Sequence, residues 1–97
     1  MSDIKNAVTV RIAGEEHAIR ANAEPEYTRR CAKLVDERIS DIRSRSGPIE
    51  SHRAAILAAL SLSDELFQTQ EELARLQREV VARCDALAKR IDGALAR

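Results

Sequence analysis

The chain has 97 residues, enough for one small domain, and only 2% of them are aromatic, so a single protomer can bury only a thin core. Its 16 Lys and Arg residues balance its 16 Asp and Glu residues. This neutrality argues against a general nucleic-acid binder and against a protein held on anionic membranes, because both carry a basic surface.

The cysteine count and the first residues indicate a reducing compartment. Cys31 and Cys84 are too few and too far apart for the disulfide framework of a small secreted domain. Residues 1–6 hold no apolar segment behind a basic start, so they predict a flexible N-terminus and no signal peptide. No apolar run approaches the roughly 18 residues of a membrane span. We therefore expect a cytoplasmic protein without membrane insertion or a nucleic-acid partner.

Residues 7–21 predict a β-hairpin. Val8, Val10 and Ile12 alternate with polar residues, which is typical of a strand with one face on a core. Gly14 suits the first central position of a type II′ turn, which needs a positive φ. A lone hairpin is marginal in water, so this one must pack on a helix or pair with another chain.

Residues 25–44 predict an amphipathic helix that completes a head over residues 7–46. Pro25 suits a first helical turn, and Gly47 and Pro48 supply the break at the other end. Cys31 falls on the apolar side and is interpreted as a small core residue. The predicted apolar positions are Tyr27, Cys31, Leu34, Val35, Ile39 and Ile42.

Residues 48–97 predict one long coiled-coil helix, because no Pro follows Pro48 and Gly93 is the only Gly. A heptad with d at Ala59 places an apolar residue at every d and every e position. We call these residues the d/e stripe: Ala59, Leu60, Leu66, Phe67, Leu73, Ala74, Val80, Val81, Leu87, Ala88, Ala94 and Leu95. The a positions are Ile56, Ser63, Gln70, Gln77, Cys84 and Ile91.

This stripe is wider than the seam of a two-stranded coil and suits contact with more than one neighbouring helix. We therefore expect a homodimer that can associate further into a dimer of dimers. The polar side should carry acid-before-base pairs four residues apart. Those pairs are Glu71 with Arg75, Glu79 with Arg83, and Asp85 with Lys89. The predicted interface residues are Ile56, Ala59, Leu60, Leu66, Phe67, Leu73, Val80, Cys84, Leu87 and Ile91.

One alternative is that the long helix folds back on the first helix of its own chain. The first helix is short, so it would cover the stripe only from Ile56 to Phe67 and leave the part from Leu73 to Leu95 without a partner. The predicted fold class is thus mainly α, with a small β-hairpin in an α+β head and a long C-terminal helix that forms an oligomeric coiled coil.

Residues capable of catalysis or metal binding are not grouped in the sequence. His17 and His52 are not at helical spacing from each other or from a cysteine, and Ser51, Ser61 and Ser63 have no evident base. We expect no enzyme activity, no cofactor and no metal. A further hypothesis is a metal-dependent regulator in which Cys and His ligands from two protomers share a metal ion. Purified protein without bound metal would exclude it. In a parallel pair, Cys84 at an a position would face its own copy and could cross-link on oxidation.

Three segments carry a resemblance to a known family. They are the hairpin segment 8–14, the helix start at Pro25 and Glu26, and the segment 56–66, which reads ILAALSLSDEL. In this order and spacing they resemble ZapA, a bacterial cell-division family, over roughly residues 7–95. The resemblance implies a small head on a long helix, parallel dimers that pair antiparallel into tetramers, and heads that bind FtsZ, the tubulin-like division GTPase, and bridge its protofilaments.

The resemblance also guides the choice of contact residues on the head. The turn after Gly14 is followed by two acidic residues in this chain. If this loop contacts FtsZ, its contact chemistry differs from that of family members with other residues there. The candidate FtsZ-facing residues are Arg11, Glu15, Glu16, Arg20 and Arg29. The expected function is binding and bundling of FtsZ protofilaments at the division site. The alternative is a coiled-coil adaptor or structural rod with an unrelated protein partner.

Overall fold

A computed structural model describes residues 6–96 and gives four elements. In chain order they are the strands β1 (Asn6–Ile12) and β2 (Glu15–Ala21), then the helices α1 (Pro25–Ser46) and α2 (Ser51–Leu95). The predicted fold class, mainly helical with an N-terminal hairpin, is confirmed. Of the predicted flexible N-terminus, residues 1–5 lie outside the described residues. Asn6 instead opens β1, and its Nδ2 donates to the carbonyl of Ala23 at 2.6 Å.

The hairpin is antiparallel, with Val8 opposite Ile19 and Val10 opposite His17. The predicted turn type is wrong. Ala13 (φ 56°) and Gly14 (φ 80°) both lie in the left-handed region, which defines a type I′ turn with Gly14 in the second central position. A left-handed Ala costs about 1 kcal/mol. The Ala13 N–H offsets this cost by donating to Asp36 Oδ1 at 2.8 Å.

The chain divides into two compact units at Leu62, and we call the described residues 6–62 the head unit and 63–96 the distal unit. The first cluster of the head core joins Val8 and Val10 to Ala32 of α1. The helix covers β1 alone, so β2 is exposed except at Ala21, which is half-buried.

The inward face of α1 differs from the predicted one. Thr28, Ala32 and Ile39 are buried, and Val35 and Ile42 pack against the core. The prediction is wrong for three members of the apolar set, because the side chains of Tyr27, Cys31 and Leu34 are exposed. Helix α1 therefore has a second apolar face that the described part of its own chain leaves in solvent.

The first turns of α2 complete the head core through small residues. Ala54 (0% exposed) and Ala58 (1%) lie against Ile39 of α1. Alanines at this spacing allow close approach of the two helices, because a methyl group is the only side-chain bulk between the backbones. Two hydrogen bonds join the same helices: Arg38 Nη1 donates to Ser61 Oγ at 2.9 Å, and Arg43 Nη2 donates to Ser51 Oγ at 2.6 Å.

The distal unit is a single stretch of α2 with no buried residue. A network of exposed ion pairs lies along it. Arg75 pairs with Glu72 (2.6 Å) and Glu79 (2.9 Å) instead of the predicted Glu71, and Arg83 pairs with Glu79 at 3.0 Å as predicted. Lys89 also pairs with Asp85, at 3.4 Å. The hydrogen bond from Arg75 holds the pKa of the Glu72 carboxyl below its ordinary value.

Candidate functional site

Within the head unit, α2 presents an apolar face that α1 does not cover. Ile56 (48% exposed) and Leu60 (62%) both lie in solvent, and so does Ala59. The sequence alternative that the long helix folds back on α1 is correct for the first turns of α2, where α1 packs on Ala54 and Ala58. Its expectation that α1 covers the stripe from Ile56 is wrong within the head unit, because α1 takes the neighbouring face. The predicted interface residues of this unit stay available to another chain.

The distal unit carries the larger part of the d/e stripe. Phe67 is 61% exposed and Val81 is 67% exposed, and among the stripe residues 63–96 only Ala74 is half-buried. An isolated helix in water is marginal unless its apolar side is packed, since side-chain pairs add only about 0.2–0.5 kcal/mol each. The exposed large apolar side chains here are Leu66, Phe67, Leu73, Leu76, Val80, Val81, Leu87, Ile91 and Leu95.

The stripe is bordered by polar a positions. Gln70 and Gln77 are exposed and lie between apolar d residues, where a polar side chain can set register at a cost in stability. Cys84 occupies the next a position as a free, exposed thiol. The surface as a whole is chemically suited to helix packing.

The described residues do not form a recognisable metal site. Across residues 6–96, no group of three or more His, Cys, Asp or Glu side chains is placed to hold a metal ion. His17 lies on β2 with its Nε2 3.9 Å from Glu15 Oε2, and His52 is exposed at the start of α2. Over the same range, no helix combines the length and apolarity that a membrane span requires.

The structure brings together some of the head residues predicted from sequence and separates others. Arg11 and Glu16 are direct cross-strand neighbours with 3.8 Å between their charged groups, on the face of the hairpin turned away from the core. Arg20 shares that face, whereas Glu15 lies on the opposite face. Arg29, on α1, lines a groove together with Arg11 and forms an ion pair with Glu26.

Further members of that groove were not among the contact residues predicted from the sequence. Thr9 of β1 and Lys33 and Asp36 of α1 also line it. The signal for the helical members was available, because Arg29, Lys33 and Asp36 recur at steps of four and three and so share one helix face. No local pattern reveals that this face lies beside β1.

Known proteins share this architecture. The family model described as cell division protein ZapA matches residues 8–91. Cell division protein ZapA of Pseudomonas aeruginosa is 32% identical, with 94% of this chain and 88% of the relative aligned. The protein of the same name from Geobacillus thermodenitrificans is 29% identical over 74% of this chain and 79% of its own.

Two solved structures have the same fold. A conserved bacterial protein of unknown function from Pseudomonas aeruginosa superposes with a TM-score of 0.73 and 28% identity, over 91% of this chain and 98% of that one. A mutant dimer of ZapA from Geobacillus stearothermophilus superposes with a TM-score of 0.61 and 26% identity, over 78% and 88% of the two chains. With the hairpin, the helical order and the matched span in agreement, the chain belongs to the ZapA family of cell division proteins.

Proposed function

We propose that this protein is a cell-division factor that binds FtsZ and cross-links its protofilaments, which stabilises the division ring. The observation that carries the proposal is that the chain contains a folded head and also a distal helix whose apolar side chains are exposed among the described residues 6–96. Family membership over residues 8–91 links that architecture to cell division. The protein would act in the cytoplasm, at the site where FtsZ assembles.

Self-association is the first step of this mechanism. The stripe of the distal unit is too long and too apolar to remain in water, and neutral net charge leaves little repulsion to oppose association. A related ZapA has been solved as a mutant dimer, which supports the same step. The apolar d positions suit a parallel pair, in which the polar a positions would set the register, and the e positions then suit contact between two such dimers.

Cross-linking follows from bivalency. An assembly with two or more heads holds each free head near the filament that its neighbour has bound, so rebinding takes place at a high effective concentration. A monomeric head would bind FtsZ only with the low affinity of a single contact. The heads would meet FtsZ through charged surface residues, with the candidates Arg11, Glu15, Glu16, Arg20 and Arg29.

The test is sedimentation of GTP-assembled FtsZ from the source organism, with and without this protein, combined with electron microscopy of the pellet. We expect co-sedimentation and thicker filament bundles. The double charge reversal Arg11→Glu with Arg29→Glu should reduce co-sedimentation while the mass in solution stays the same. If the unaltered protein does not co-sediment at low salt and high concentration, the FtsZ function is withdrawn and the adaptor reading takes its place.

A further inference from the structure

The outer edge of β1 is free to accept another strand. The sheet has two strands, so within the described residues β1 pairs on one side only. In a two-residue hairpin the residues that flank the turn, here Ile12 and Glu15, exchange both ladder hydrogen bonds. The bonding direction alternates along the strand, so the N–H and C=O groups of Thr9 and Arg11 point away from β2.

Helix α1 lies beside this edge, so the strand and the helix form the two sides of a groove. An open groove of about 260 Å³ runs between the strand and the helix. Its lining residues are Thr9, Val10 and Arg11 from β1 and Arg29, Ala32, Lys33 and Asp36 from α1. The outer edge of β2 differs, because α1 does not cover that strand. The β1 edge therefore combines unpaired backbone groups with side chains that can contact a bound segment.

The charges of the groove favour an acidic ligand. Three cations line it, and the single carboxylate among the lining residues, that of Asp36, already accepts the Ala13 N–H. All three cations have an acidic neighbour, and all three pairs are exposed. Arg11 lies 3.8 Å from Glu16, Lys33 lies 4.0 Å from Glu37, and Arg29 donates a hydrogen bond to Glu26. Exposed pairs of this kind are weak, so carboxylates of a ligand can replace them at little cost.

We propose that this groove binds an extended acidic segment of a partner protein, which adds to the free edge of β1 as a third strand. The segment would hydrogen-bond to the backbone of Thr9 and Arg11. Its carboxylates, on alternate residues that face α1, would reach Arg29 and Lys33, and the residues between them would lie on the other face of the sheet, beside Arg11. In the setting of the proposed function, on which this step rests, the acidic segment belongs to FtsZ.

Two matched substitutions separate the edges of the sheet. Thr9 and Ala18 face each other across the hairpin, both are exposed, and the N–H of each points outward. A proline at either position removes one outward donor and leaves the shared ladder bonds in place. The probe is a nine-residue peptide that alternates glutamate and threonine, titrated into the full-length protein at low salt and followed by the amide NMR signals.

The peptide should shift the amide signals of Thr9 and Arg11 in the unaltered protein. Ala18→Pro should bind it equally well, whereas Thr9→Pro should bind at least tenfold more weakly. A peptide of alternating lysine and threonine should leave these signals unchanged. Equal binding by both proline variants, shifts centred on β2, or equal binding of the lysine peptide would each overturn the proposal.

A pair of charge reversals on α1 keeps the test valid if a proline unfolds the hairpin. Lys33 lines the groove and Arg30 does not, and both are exposed helical residues. Lys33→Glu should weaken binding of the glutamate peptide at least tenfold, and Arg30→Glu should not. Equal effects of the two reversals would show that overall charge, and not the groove, attracts the peptide, which refutes the proposal.

Failure of this proposal can be told apart from failure of the proposed function. If FtsZ co-sediments equally with the unaltered protein and with the Lys33→Glu variant, the groove proposal is wrong and the FtsZ function stands. If FtsZ does not co-sediment with the unaltered protein, the FtsZ function fails, and the peptide titration still decides the groove. Signals of Thr9 that shift with protein concentration alone would show a second copy in the groove and overturn the assignment of a partner segment.

Discussion

Leu87→Glu should separate the chain into monomers without unfolding the head. Leu87 is a d residue of the distal unit and is 55% exposed in the single chain. Full burial of a leucine contributes about 1.5–3 kcal/mol. About half of the Leu87 side chain is still exposed, and a symmetric dimer buries two copies. The lost burial should therefore weaken the dimer by about 1.5–3.5 kcal/mol, or about 10- to 400-fold in dissociation constant.

The assay is sedimentation equilibrium over a wide range of protein concentration. The variant should approach the monomer mass of 10.8 kDa at concentrations where the unaltered protein is at least twice as heavy. Helicity measured by circular dichroism should fall at the same time, because a lone helix is marginal in water. The amide signals of Val8 and Val10, which belong to the head core, should keep their positions. FtsZ bundling should be lost.

The matched control is Ala86→Glu, one residue away. Ala86 is exposed at a c position, on the side of the helix opposite the stripe, and a glutamate there can pair with Arg83 and Arg90. This variant should keep the mass and the bundling activity of the unaltered protein. If Leu87→Glu has the same mass as the control at every concentration, the stripe is not the interface. If it is monomeric and still bundles filaments, the bivalent mechanism is wrong.

Three further predictions concern the stability and titration of single sites. Asp36→Ala leaves the Ala13 N–H without its carboxylate acceptor, so it should lower the free energy of unfolding of the head by about 1–2 kcal/mol in urea denaturation, with no change in assembly mass. Ala54→Leu forces a large side chain into a site with 0% exposure and should cost about 1–3 kcal/mol in the same assay; an unchanged midpoint would mean that the helices are not in close contact there. The Glu72 carboxyl should titrate below the ordinary range of glutamate by NMR, and Arg75→Gln should restore the ordinary pKa. Because the folded pKa is the lower one, the stabilisation from this pair is present above the unfolded pKa and is lost as the pH falls through the folded pKa.

The elements themselves could be predicted from the sequence, because each has a strong local signal. Alternation at Val8, Val10 and Ile12 identifies β1, and the long run without proline identifies α2. The turn type could not be predicted in this way. The left-handed conformation of Ala13 is unusual for a residue with a Cβ, and its N–H is held by Asp36, which lies 23 positions away in sequence.

The faces of the helices were harder to predict than the helices. Helix α1 has apolar residues on two sides, and the periodicity alone does not show that Ala32 and Ile39 face the core while Tyr27 faces solvent. In α2 the buried contact is made by Ala54, whose small side chain gives a weaker hydrophobic signal than the exposed Leu60 of the same helix. The groove along β1 depends on contacts through space that no local pattern records.

The division of the chain into a head with its own core and a distal helix without one has a consequence for protein turnover. A protease cuts segments that open easily, and opening of an unpacked helix costs little free energy. Association protects that helix by mass action, so protection grows with protein concentration. Newly made chains at low abundance should therefore be cut within residues 63–96 faster than established assemblies, and the cellular level of the protein should show a threshold below which it does not accumulate.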